Sequence, residues 1–347
     1  MGFRLHRYRA GTLAASLIGG LFPSLATACA FHGYEPQPTL VERMISADHI
    51  VLARPAEENA FRYEVTDELQ SSGTTVVLPM LVDSSTRRLL RLQPNAQVLF
   101  ARDAETEVWH RLITVDASFA PILTTIQDRL PEWEHDPKVR ASYFASQLNH
   151  SDKRIRTLAL RELDLADYGT LKALNLDVDA KALQAQLDTI PEMDLRAIRI
   201  LLMGLAPATP ELSTFMRFRV TQGLAHESEM LGAYALSLIE LEGAGGIQWL
   251  DTTLMTSRQN TYNTRSALVQ ALAMHFETGD AELRRTISDV LSARVLFDPD
   301  LAYVVSLQFS AISANAGLEI PDTGIDTDPT LEALQALEIS KSIPLRM

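Results

Sequence analysis

The chain has one cysteine, Cys29, among 347 residues, so no internal disulfide forms and packing must hold the fold together. Aromatic residues make up only 7%, and glycine and proline contribute 16 residues each, which excludes collagen-like and low-complexity chains. With 46% hydrophobic and 22% charged residues the balance is globular, which excludes disorder. Positive charge is scarce: 31 Lys and Arg face 44 Asp and Glu, leaving a net charge of −13. A nucleic-acid binder carries a basic face, so no nucleic-acid partner is expected. Catalytic signatures are missing as well. G-x-S-x-G, H-E-x-x-H, the Walker A loop and G-x-G-x-x-G are all absent, and one cysteine cannot build a paired-thiol metal site. With no nucleophile or acid/base constellation in view, the chain reads as non-catalytic and without a cofactor.

What is present begins with an address. Arg4, Arg7 and Arg9 precede an apolar run from Thr12 to Ala28 that ends in Ala26-Thr27-Ala28. A basic start, an apolar middle and a small-residue exit describe a secretory signal peptide over 1–28. The run is interrupted by Gly19-Gly20 and Pro23 and is short for a span of ~20 residues. Removing its three arginines takes the net charge from −13 to −16, and the expected location is periplasmic or secreted.

Cys29 follows Ala28 directly and admits three readings. It is a lipidation site, which would tether the protein to a membrane. It is a metal ligand, its amine and thiolate acting with His32 on a soft ion such as Cu(I) or Zn(II). Or cleavage falls after Ala30, or Cys29 is simply the first residue and does nothing. A membrane contact is expected only under the first.

Two regions follow with different periods. Over 29–118, β-branched residues and alternation predict five short strands. These are His49–Arg54, Phe61–Leu69, Thr74–Leu81 with Pro79 at its end, Gln97–Arg102 and Val108–Val115, preceded by a short helix at Thr39–Ala47. Short links imply antiparallel pairing and a small barrel-like domain. Arg87, Arg88 and Arg91, interleaved with leucines, predict one amphipathic helical turn against it. Over 119–318 the period becomes 3.6, with breaks at Asn149-His150-Ser151-Asp152, Pro207–Pro210, Gly243–Gly246, Gly279-Asp280 and Asp298-Pro299-Asp300. A polar tail, 319–347, closes the chain, with Leu331–Ile339 as a last short helix. The fold class expected is therefore α+β: a barrel-like domain, then a larger all-α one.

Within the helical region one phrase recurs: a polar start, then Arg or Gly, then two turns rich in Ala and Leu. Arg156, Arg196, Gly232 and Arg265 align in it, at spacings of 40, 36 and 33 residues, with a fainter copy near Ala302. The phrase resembles bacterial HEAT-type repeats over about half the chain. That resemblance implies an α-solenoid of helix pairs serving as a binding surface, with another envelope or periplasmic protein as partner and no catalytic residue to carry over. It gives Arg156, Arg196 and Arg265 the job of stacking one repeat on the next, while Arg217 and Arg284 lie off that register.

The amino-terminal stretch Cys29, Ser46–Arg54 and Phe61–Val65 is faintly similar to the opening of netrin-like domains, which include tissue inhibitors of metalloproteases. That likeness implies a five-stranded barrel. It gives an inhibitory role to Cys29 alone, the family's further cysteines being missing here. Together with the metal reading of Cys29 and His32, metal handling or protease inhibition is the alternative function. Asp322-Thr323-Gly324 spells half of an aspartic-protease pair but reads as a loop turn. Asn175–Asp179 imitates the start of an EF-hand loop, yet Ala180 and Gln186 stand where Gly and Glu are needed, so helix capping after Asp179 accounts better for it. Glu134-His135-Asp136 reads as a surface linker.

Overall fold

The computed structural model describes residues 37–71, 73, 76–174, 176–226, 228–252 and 260–316. Cys29, His32, the signal-like run 1–28, Asp322-Thr323-Gly324 and the tail 319–347 lie outside them. Described residues open with α1 (Leu40–Ile45), started by a capping box in which Thr39 Oγ1 accepts from Glu42 N at 3.2 Å and the Glu42 carboxylate from Thr39 N at 2.9 Å. Four strands follow: β1 (Ala47–Pro55), β2 (Tyr63–Gln70), β3 (Gln97–Asp103) and β4 (Trp109–Val115), with α2 (Ser84–Leu92) between β2 and β3. They form one antiparallel sheet in the order β2-β1-β3-β4.

Both faces of the central strands are covered. Ile50, Leu52, Leu99 and Ala101 share a core with Val41, Met44, Phe119 and Ile126. Val51, Ala53, Val98 and Phe100 pack on the other side with Tyr63, Leu78, Val82 and Leu90. This explains why His49–Arg54 reads as an unbroken apolar run rather than an alternation.

Among the described residues the sheet does not close into a barrel, and 76–81 of the expected fifth strand form no strand. Residues 76–80 run beside the sheet unpaired; Leu78 and Val82 pack on its face, and the backbone links are a bridge between Arg62 and Leu81 and Val82 N donating to Phe61 O at 2.9 Å. Pro79 has no N–H to give to a ladder. Helices cover both faces of the sheet, so its apolar residues are buried without β2 and β4 curling round to meet. The amphipathic turn is α2, started by Asp83, whose carboxylate accepts from Thr86 N at 2.8 Å.

Helices then fill the rest: α3 (Ala120–His135), α4 (Pro137–Ala145), α5 (Lys153–Leu163), α6 (Tyr168–Ala173), α7 (Ala180–Ala185), a 3-10 turn (Ile190–Leu195) and α8 (Arg196–Gly204). After these come α9 (Pro210–Ala225), α10 (Leu231–Glu242), α11 (Ala244–Leu250), α12 (Tyr262–Thr278), α13 (Ala281–Val295) and α14 (Pro299–Ala316). Several breaks seen in the sequence are caps: Asp152, Thr209 and Asp280 each accept a first-turn N–H. Gly243, at φ +58°, turns the chain from α10 into α11, a backbone shape that a side chain resists.

α8 packs on α10, α10 on α12 and α12 on α14, while α9 lies against α10, α11 against α10 and α13, and α13 against α12 and α14. The approach of α8 to α10 depends on Gly204, where a Cβ would stand 2.7 Å from Ser237 Cα. One core joins the sheet to α3, α4, α5 and α8; a second runs from α8 to α14.

Candidate functional site

Among the described residues, four titratable groups meet where α6, α10 and α12 converge. Glu240, near the end of α10, accepts from Tyr168 Oη at 2.8 Å and pairs with Lys172 Nζ at 2.9 Å, both from α6. His275 of α12 is fully buried, and its Nε2 lies 2.8 Å from Leu236 O. A carbonyl can only accept, so Nε2 carries the proton. That leaves the Nδ1 lone pair facing the Glu240 carboxylate at 3.7 Å with no hydrogen-bond donor. Burial pushes His275 down to about 4, opposed by the Leu236 carbonyl and the Glu240 charge and reinforced by Lys172. Burial, then the charge of Glu240, holds the Tyr168 phenol well above its ordinary range. Chemically the cluster can hold a proton and tie three helices together.

A second buried charge joins the two parts of the chain. Glu162 of α5, 1% exposed, accepts from Val41 N of α1 at 3.3 Å and lies 3.6 Å from Arg140 Nε of α4. Burial raises its carboxyl to about 7, with the Arg140 guanidinium pulling the other way. On α8, Arg199 is fully buried and donates to Gln186 O and Glu192 O at 3.3 and 3.1 Å while pairing with the Glu192 carboxylate.

Two concavities accompany these centres. A cavity of about 80 Å³ lies between α5 and α7, walled by Asn149, Arg156, Leu160, Asp177, Asp179 and Leu183. An open groove of about 560 Å³ follows the outer edge of β2 beside Val76 and Val77. Asp179 caps α7 by accepting from Ala182 N at 3.0 Å, and Asp177 accepts from Asn149 Nδ2, so the EF-hand-like stretch serves local structure. Asp136 likewise caps α4. Among the described residues, no group of three or more His, Cys, Asp and Glu is placed to hold a metal ion, and no helix is long and apolar enough to cross a membrane.

The three repeat arginines each find partners. Arg156 Nη1 donates to His150 O and Ser151 O at 2.6 and 2.9 Å, Arg196 Nε to Leu187 O at 3.0 Å, and Arg265 Nη1 to Asp300 Oδ2 at 3.1 Å. The off-register arginines have partners as well. Arg217 Nε donates to Glu242 Oε1 at 2.9 Å and Arg284 Nε to Phe276 O at 3.0 Å, because a long, flexible stem reaches acceptors from many helical positions. Reading the sequence also missed Glu162, Arg199, Glu240 and His275. Their only signal is a charged or imidazole residue inside an Ala/Leu-rich helix, and surface helices show the same. No family model, curated protein or solved structure matches the chain.

Proposed function

We propose that this is an exported, non-catalytic protein of the bacterial cell envelope that binds another protein across a surface of HEAT-like helix pairs. One observation carries the reading. The recurring phrase marked by Arg156, Arg196, Gly232 and Arg265 falls in the first turns of α5, α8, α10 and α12, and its faint fifth copy at Ala302 falls at the start of α14. Of these, α8, α10, α12 and α14 pack side by side in that order, each backed by helices local in sequence. Helix pairs that bury their faces only on neighbours leave an extended outer row, whose usual output is recognition of a partner. Export rests on the signal-like run, and the buried polar clusters are read as cross-ties within the array.

The test places a photo-crosslinking residue at exposed positions on the backing helices α9, α11 and α13, Phe218, Gln248 and Asp289, and at Glu105 in the β3–β4 turn as a control. An adduct of one common mass from the three helix positions, and none from Glu105, is expected in cell-envelope fractions. Silence at all three would remove the scaffold reading. The mass of the mature amino terminus tests export directly, with cleavage expected between Ala28 and Phe31.

A further inference from the structure

We propose that α2, with the neighbouring Phe61 and Leu81, is a surface that seats the sheet end of the molecule on an anionic lipid bilayer. At 100° per residue, Thr86 and Leu90 point into the core. Arg88 and Leu92 therefore stand on the opposite side, with Arg87 and Arg91 on one flank and Leu89 on the other. Leu92 is 74% exposed. Phe61, 56% exposed, lies under the Arg87 guanidinium at 4.2 Å, and Leu81, 63% exposed, bridges to Arg62 in the next position. Five of the twelve large apolar side chains that are exposed among the described residues fall within 61–92: Phe61, Val77, Leu81, Leu89 and Leu92. Of these, Phe61 is joined to α2 through Arg87 and Leu81 to Phe61's neighbour Arg62, so exposed apolar side chains adjoin the helix, as they do at interaction sites.

Charge selects the occupant. Arg62, Arg88 and Arg91 are exposed and have no ion-pair partner among the described residues, while the helix's own acid, Asp83, is engaged by Arg111 at 2.8 Å. The chain as a whole is strongly acidic, and Glu57, Glu58 and Glu64 are exposed near Phe61 in sequence. But α2 itself, Ser84–Leu92, carries three arginines and no acid, and charges more than about 8 Å away are screened at physiological salt. Shape selects between anionic partners. The groove and the cavity described above lie on β2 and between α5 and α7, and neither is lined by α2, which exposes Arg88, Leu89, Arg91 and Leu92. Apolar tips flanked by arginines suit the headgroup boundary of a bilayer, where the tips enter the acyl region and the cations meet phosphates.

The experiment uses the full chain carrying Cys29→Ser, with an environment-sensitive fluorophore on Leu92→Cys or, as a distant control, on Phe297→Cys. A site-resolved readout separates this surface from the apolar Thr12–Ala28 run. Vesicles of phosphatidylglycerol mixed with phosphatidylcholine should shift the fluorophore at 92 to the blue and leave that at 297 unchanged. Arg88→Glu with Arg91→Glu should weaken the response about tenfold or more, while Arg88→Lys with Arg91→Lys should keep it. Both positions are exposed, and unchanged far-UV circular dichroism verifies that the variants fold. The proposal is overturned by no shift at 92, by an equal shift at 297, or by an equal response to phosphatidylcholine alone. A response at 92 to polyglutamate but not to vesicles would assign the surface to an acidic protein and overturn it too.

Discussion

Glu162→Gln should make the protein's stability rise, relative to wild type, as the pH is raised. In the folded chain the Glu162 carboxyl sits near 7 against an ordinary value of 4.5, because burial disfavours its charged form. The folded state therefore holds a proton that the unfolded chain has released. Stability from this group is complete below about pH 4.5 and is lost as the pH rises through 7. Each pH unit of that displacement is worth about 1.4 kcal/mol, so roughly 3 kcal/mol disappears between pH 4 and pH 8. Glutamine keeps an oxygen to accept the Val41 N–H but cannot ionise. Glutamine also lacks the charge that attracts Arg140, but wild-type Glu162 carries that charge only above its folded value, so this loss is already contained in the shift. The quantity to follow is thus the slope: urea denaturation monitored by circular dichroism, wild type and variant in parallel, from pH 4 to pH 8. The variant should gain about 3 kcal/mol on the wild type across that range. A difference that stays flat would show that the carboxylate is not paying for desolvation in the folded state, and the argument would fall.

His275 acts in the opposite sense. Its folded value of about 4 lies below the ordinary 6.5, so its contribution is lost as the pH falls from about 6.5 to 4. His275→Gln, which can still donate to Leu236 O, should remove up to about 3 kcal/mol of that acid sensitivity; an unaltered acid limb in the same denaturation series would contradict the assigned burial. Gly204→Ala should cost about 1–3 kcal/mol, because the added methyl meets Ser237 backbone at 2.7 Å and forces α8 from α10; calorimetry should show a lowered Tm. Arg196→Ala and Arg284→Ala should each cost about 1 kcal/mol, since both guanidiniums bond carbonyls of preceding segments. A clear gap between their midpoints would restore the register argument.

Local pattern alone located most elements. The short helix before β1, the strands at His49–Arg54, Phe61–Leu69, Gln97–Arg102 and Val108–Val115, the basic helix at Arg87–Leu92 and the capped breaks at Asp152, Thr209 and Asp280 are set by side-chain period and by residues that bond their own backbone. Those interactions span a few residues, so they are written in the order of the chain. Whether 76–82 joins the sheet is different, because pairing depends on what covers the faces and on a ladder that Pro79 cannot complete. The partners of the arginines are likewise a tertiary matter, as Arg284 shows by bonding where register predicted idleness. The centres that matter chemically are the least legible of all. Glu162 meets Val41 across 121 residues, and Tyr168 meets Glu240 across 72. Burial gives Glu162, Tyr168 and His275 their altered proton affinities, and burial belongs to the assembled core, where helices far apart in sequence exclude water from the same point.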